Sequence, residues 1–190
     1  MLIPFNCGSV RLTSAYGPRI MKGTRENHYG YDLVGIGSHD VLAVVGGEVM
    51  QSRIVTDRTN STWEWGNYVC IRTDDGQYHY YCHLASRAVT KGQRVKVGTK
   101  LGVMGSTGKT EGAHLHFEVR AEDGQTKISP ETVLGIPNKT GTYTQCSLSR
   151  DLDILHRHGV INTPSYWQKT APRVQYLEEL IHNMAEALNR

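Results

Sequence analysis

No stretch of this 190-residue chain is long and apolar enough to form a transmembrane helix. The first residues, Met1-Leu2-Ile3-Pro4-Phe5-Asn6-Cys7-Gly8, show no charged region followed by a long apolar run, so they do not read as a secretory signal. There is no Lys/Arg block, and the net charge is only +3 with histidines neutral, which leaves nucleic-acid binding without support. A bias this mild still suits approach to an anionic polymer. Cysteines are few: Cys7, Cys70, Cys82 and Cys146 fit no zinc-ribbon spacing. Cys70 and Cys82 flank a predicted hairpin, but pairing does not follow from that, and free, mostly buried thiols are expected. A phosphate loop is missing too. Gly108-Lys109-Thr110 supplies the end of GxxxxGK[ST], but Val103 stands where the first glycine belongs.

What is present is a chain of ordinary apolar content, 38%, long enough for one well-buried domain and a small appendage. Val41-Leu42-Ala43-Val44-Val45 is a continuous apolar run closed by Gly46-Gly47. Asn67 to Arg72 and Gln77 to Cys82, joined through Asp74-Asp75-Gly76, predict a hairpin. Val95 and Val97 alternate with charged residues between Gly92 and Gly98. Many short strands with glycine-rich turns predict a mainly β protein, a compact antiparallel sheet or sandwich, over residues 10–120. Asp57 to Trp65 reads as an exposed loop and a candidate groove wall.

The composition changes near Ile128, and Gly135 to Gly141 reads as a linker. Beyond it Leu148, Leu152 and Leu155 share a helical face, Gly159 is a stop signal and Thr163-Pro164 a start. Val174, Leu177, Ile181, Met184 and Leu188 form an apolar stripe at helical spacing. His156 and His158 read as surface residues near a helix C-terminus. The expected organisation is a β domain over 1–135, a linker over 136–145 and a small helical unit over 146–190. That unit is expected to serve docking, polymer binding or self-association.

The chemistry concentrates in histidines. His114-Leu115-His116 lies in Gly112-Ala113-His114-Leu115-His116-Phe117-Glu118-Val119, which reads as a strand. Alternation puts both imidazoles on one face, with Leu115 and Phe117 on the other. Two neutral imidazoles side by side suit a metal site or an acid–base pair. His28 and Asp32 offer an imidazole and a carboxylate four positions apart, and His83 follows Tyr80-Tyr81-Cys82. Catalytic zinc is held by three protein ligands with a fourth position left for water. His28, Asp32 and one histidine of the later pair would complete such a set.

From about Thr13 to Arg120 the chain resembles zinc metallopeptidases of the lysostaphin and LytM type, the M23 group, which cut peptide cross-links in bacterial peptidoglycan. The resemblance runs through Ser14-Ala15-Tyr16-Gly17-Pro18-Arg19, His28-Tyr29-Gly30-Tyr31-Asp32-Leu33 and Val41 to Val49. It continues through Gly66-Asn67-Tyr68-Val69, Tyr81-Cys82-His83-Leu84, Lys91 to Val95, Gly102 to Gly108 and Gly112 to Glu118. It implies His28, Asp32 and His116 as zinc ligands, one ion per chain, and His83 and His114 as catalytic residues. Cys82 departs from the pattern, where a small residue such as Ala is commoner. Tyr16, Asn67 and Tyr81 are candidate substrate-binding residues.

The activity so implied is hydrolysis of a stem-peptide or cross-bridge bond. The general base could be His83 or His114. The site of action would be the cell wall, reached after removal of a leader or by a phage route such as lysis or tail assembly. Two other readings stand beside it: a non-enzymatic amidase activator of LytM type, and a metallopeptidase acting on protein.

Overall fold

The computed structural model describes residues 2–144, 155, 160, 161 and 177–188. The chain divides into two compact units, Met1–Thr144 and Gln145–Arg190. In the first unit the described strands are β1 (Ser9–Ser14), β2 (Gly17–Met21), β3 (Thr24–His28), β4 (Gly30–Ile36), β5 (Asp40–Leu42), β6 (Gly47–Arg53) and β7 (Tyr68–Thr73). They continue with β8 (Tyr78–Cys82), β9 (Leu84–Arg87), β10 (Arg94–Val95), β11 (Lys100–Met104), β12 (Leu115–Arg120), β13 (Lys127–Ile128) and β14 (Gly141–Thr144). A single helical turn, α1 (Glu131–Leu134), precedes β14, and α2 (Leu177–Leu188) belongs to the second unit.

The large sheet is ordered β10-β6-β7-β8-β12-β4-β1-β14, with β13 paired to β12, and every pairing is antiparallel. Strands β5, β11 and β9 form a second sheet, and β2–β3 is a separate hairpin. Alternation explains how the sheets meet. Leu115, Phe117 and Val119 of β12, Tyr31 and Leu33 of β4, and Val69 and Ile71 of β7 are all fully buried. They share one core with Val41, Leu84, Leu101 and Met104, which line the smaller sheet. The antiparallel β core expected from the sequence is therefore the architecture found. The predicted hairpin is β7–β8, closed by a Thr73 N–H bond to the Gln77 carbonyl of 2.9 Å, with Gly76 at φ 92°.

The expected linker over 136–145 is instead largely part of the first unit. Ile136 is fully buried in the core, and its carbonyl accepts the Tyr31 hydroxyl at 3.0 Å. Gly141–Thr144 pairs with β1 as the sheet's edge strand. The glycines and proline that suggested a linker turn the chain back onto the sheet.

In the second unit α2 carries most of the predicted stripe. Ile181 and Ala185 are buried, while Met184 and Leu188 are exposed. Leu155 is buried. The expectations placed on Leu148, Leu152, His156, His158, Gly159, Thr163, Pro164, Val174 and Cys146 lie outside the described residues. Among the described residues no helix is long and apolar enough to cross a membrane.

Candidate metal centre

The face of the large sheet opposite the core carries the site. The β4–β12 register sets Asp32 across from His116, and the β8–β12 register sets Cys82 across from His116. His28 enters from the end of β3, one residue before Tyr29 and the start of β4. Gly30 leaves room for the cluster. A Cβ there would lie 2.7 Å from the His116 ring and 2.5 Å from the Phe117 carbonyl, so only glycine lets this imidazole lie over β4.

His28 Nε2, Asp32 Oδ1 and His116 Nδ1 converge as a group that could hold a metal ion. His28 Nε2 lies 3.1 Å from Asp32 Oδ1 and 3.1 Å from His116 Nδ1, and His116 Nδ1 lies 2.9 Å from Asp32 Oδ1. Hydrogen bonds at the far side of each ring decide what these atoms present. His28 Nδ1 donates to the Ala15 carbonyl at 2.8 Å, because a carbonyl can only accept, so Nε2 turns a bare lone pair inward. His116 Nε2 lies 3.6 Å from the Glu118 carboxylate, on the far side of the ring, and Nδ1 is the nitrogen turned toward Asp32 and His28. Two ring nitrogens and a carboxylate oxygen thus meet at hydrogen-bond distance, and as lone-pair donors they suit a cation between them.

The electrostatics agree. Burial disfavours the charged form of His116, but hydrogen bonds and charge from Asp32 and Glu118 outweigh it and raise its pKa to about 9. Burial likewise opposes ionisation of Asp32, yet the His116 and His28 rings against it hold its carboxyl far below the ordinary carboxylate range. Without a cation, a proton on His116 does the neutralising. Arg19 adds a further partner for Asp32, its Nη1 lying 3.4 Å from Oδ2.

His83 and His114 stand beside this group. Their ring centroids are 4.7 Å apart, and His83 lies 5.9 Å from His116. His114 Nδ1 donates to the Gly112 carbonyl at 2.9 Å, and its Nε2 lies 3.5 Å from Asp32 Oδ1. His83 Nδ1 donates to the Thr107 carbonyl at 2.9 Å. Each therefore keeps a bare Nε2. Burial, then the neighbouring His116 and His114, lowers the His83 pKa to about 4, so this ring is neutral at neutral pH.

His83 also has a left-handed backbone, φ 64°, rare for a residue with a Cβ. The conformation is held from two sides. Its N–H donates to the Trp65 carbonyl at 2.8 Å, and the Leu84 N–H to the Asn67 carbonyl at 2.9 Å. The loop around Trp63–Trp65 and the Ser106–Thr110 turn meet at Gly66, φ 60°, where a Cβ would strike Thr107. Glu64 and Lys109 join them by an ion pair of 2.8 Å. The Asp57–Trp65 loop is thus fastened beside His83, and Gly105–Thr110 acts as a turn into the histidine strand, with Gly105 bridged to His114.

All five histidine and carboxylate positions expected from the sequence come together here, whereas Tyr81, expected in a substrate role, lies on the other side of its strand. Tyr81 is fully buried opposite Phe117, and its hydroxyl accepts the Val44 N–H at 3.1 Å, so it is a core residue. Alternation counted back from His83 puts Tyr81 on the site face, but the left-handed turn at His83 breaks that alternation. The Asn67 side-chain carbonyl accepts the Val55 N–H at 3.0 Å, and its own N–H donates to Thr107 Oγ1 at 2.9 Å, which pins the two loops together. Tyr16 is half-buried, and its hydroxyl donates to the Lys127 carbonyl at 3.4 Å. Cys82 is buried in a second apolar cluster on the site face, with Val55, Tyr68, Cys70 and Tyr80. Cys7, Cys70 and Cys82 are free thiols. Two residues the sequence reading gave no role, Arg19 and Glu118, lie against the donor set. Period-two spacing from His114 and His116 was the signal for Glu118.

Residues 26–130 match Peptidase family M23. Peptidoglycan DD-endopeptidase ShyC of Vibrio cholerae is 33% identical over 111 residues, 57% of this chain and 24% of that protein. Murein hydrolase activator NlpD of Escherichia coli is 33% identical over 91 residues, 48% of this chain and 22% of that protein. The chain thus spans about a quarter of the length of these curated relatives. Among solved structures, the catalytic domain of the antimicrobial peptidase lysostaphin from Staphylococcus simulans superposes with a TM-score of 0.57 at 27% identity, covering 69% of this chain and 94% of that one.

Proposed function

This chain belongs to peptidase family M23, and from that premise we propose that it is a zinc-dependent endopeptidase that hydrolyses peptide bonds of bacterial peptidoglycan, in the stem peptide or the cross-bridge. The observation that carries the reading is the convergence of three metal-donor atoms with two further imidazoles whose Nε2 lone pairs are free. The donor set supports zinc. Two imidazoles and a carboxylate are typical ligands, and bonds of about 2.0–2.2 Å in a tetrahedron set donors about 3.3 Å apart, close to the 2.9–3.1 Å separations here.

His28, Asp32 and His116 would hold the ion. Bound there, zinc supplies Lewis acidity to the scissile carbonyl and the attacking water. His114, more open to solvent than His83, accepts the water's proton at Nε2 while its Nδ1–H stays anchored on the Gly112 carbonyl. The same nitrogen then delivers that proton to the leaving amine. His83 is also an acceptor when neutral. A His83 that has taken the water's proton at Nε2 in place of His114 can present it to the oxyanion as a hydrogen bond. The two imidazoles therefore share the proton traffic.

The similarity to a murein hydrolase activator sustains a second reading, a non-enzymatic activator of a separate amidase. The filled set His28, Asp32, His83, His114 and His116 favours the enzyme. Mass spectrometry of fragments released from purified sacculi of several wall chemotypes decides between them. New peptide amino termini are expected, and release of intact glycan repeats with no peptide cut, or no release without an added amidase, would overturn the proposal. The Gln145–Arg190 unit is proposed as a docking module. Removing it should leave zinc and small-peptide turnover in place and weaken attachment to the wall. The cell wall is the proposed site of action, whatever the route of delivery.

A further inference from the structure

Glu118 is the next residue on the site face of β12, two positions beyond His116, and it is among the few buried charged residues of the described fold, at 4% exposure. Its carboxylate is gripped from three sides. Oε2 lies 3.6 Å from His116 Nε2, while Oε1 accepts Arg120 Nε at 2.5 Å and Lys127 Nζ at 2.8 Å. The two cations are fixed in turn. The Arg120 guanidinium stacks 4.4 Å from the Tyr80 ring and 5.1 Å from the Trp65 ring, and Lys127 sits on β13 and approaches the Tyr29 ring at 5.7 Å. A buried carboxylate is costly unless its partners need it. Two cations already satisfy this one, so the oxygen turned toward His116 is not required for its own neutralisation.

We propose that Glu118 is the positioning residue of the metal centre: it takes the Nε2–H of His116, and so fixes that ring with Nδ1 toward Asp32 and His28. A carboxylate behind a ligating imidazole sets the tautomer, holds the ring plane and strengthens the donor nitrogen. His28 and His116 are oriented differently for this reason. A backbone carbonyl, that of Ala15, holds the first, and an ionised side chain holds the second. Because Arg120 reaches Trp65, the same carboxylate ties the ligand His116 to the loop that supports His83.

The inference rests on the zinc reading above, and the test separates the two. Zinc affinity is measured by competition with a chromophoric chelator in wild type and in Glu118→Gln, which keeps the shape and loses the charge. The expected result is binding about 10–100-fold weaker in the variant, measured on folded protein, with a lower urea midpoint in the metal-free variant because Arg120 and Lys127 lose their partner. Affinity within twofold of wild type would overturn the role of Glu118 while leaving the zinc site standing, whereas a wild type that binds no zinc would fail the site itself. Should Glu118→Gln not fold, nitrogen-15 NMR of the imidazoles in zinc-loaded wild type gives an independent reading. His116 is expected to carry its proton on Nε2 and bind through Nδ1, and the opposite tautomer would refute the proposal.

Discussion

The two faces of the histidine strand are built on different terms. On one face of β12, Leu115, Phe117 and Val119 have no exposed surface and touch a core shared by two sheets. On the other, His116 and Glu118, with His114 just ahead of the strand, each make a few directed contacts to named partners. Dispersion and burial on the core face are spread over many neighbours, so a change there is felt as stability. On the site face each contact is single and oriented, so a change there is felt as chemistry.

The largest contrast should come from the metal donors. His28→Ala, Asp32→Ala or His116→Ala is expected to lose bound zinc and reduce peptidoglycan hydrolysis to background, while the metal-free protein still unfolds cooperatively, because a core of this size does not depend on a metal. Metal analysis and a denaturation curve on the same sample test both halves, and full zinc retention in His116→Ala would move the site elsewhere. Next come His83→Ala and His114→Ala, which should keep zinc and lose turnover by about two to four orders of magnitude. Wild-type rates in either variant would take that residue out of the mechanism.

Crossing to the core face, Phe117→Ala should cost about 3–5 kcal/mol of stability, read as a lower urea midpoint, with the molecules that remain folded still binding zinc. Smaller again is Tyr81→Phe. It strips the acceptor from the buried Val44 N–H, at about 1–3 kcal/mol, and should leave kcat and KM as they were. A raised KM would return Tyr81 to the substrate groove and blur the distinction between the faces.

The smallest effect concerns His79, a core-side histidine packed edge-on to Phe117 at 5.5 Å with Nδ1 unpartnered. Burial lowers its pKa from 6.5 to about 4. Below pH 6.5 the unfolded chain therefore takes up a proton that the folded chain refuses, so stability falls as pH drops from 6.5 towards 4. His83, lowered for the same main reason, acts in the same direction. His79→Phe should flatten the slope of stability against pH in that window without removing it, as measured by urea midpoints at stepped pH. An unchanged slope would mean His79 is hydrated in the folded state.

Local pattern carried much of this molecule. The two-residue step from His114 to His116 needs only strand geometry to put both rings on one side and Leu115 and Phe117 on the other. Asp74-Asp75-Gly76 between two alternating runs announces the β7–β8 hairpin, and the order of the histidine and glycine motifs identifies the family. The Gly135–Gly141 signals show that the chain turns, but not that β14 then pairs with β1, because pairing depends on an edge more than a hundred residues earlier. Residue order alone thus determined the strand-rich class and named the five histidine and carboxylate residues that the fold brings together. Tertiary structure decided the rest: which ring nitrogen each histidine offers, that His83 leaves its strand's alternation, that Tyr81 belongs to the core, and that Glu118 stands behind His116. The reason is physical. Periodicity is written into the backbone of each strand, but the inward face, the opposing residue and the hydrogen-bond partner of a ring are set by long-range register, which no single segment contains.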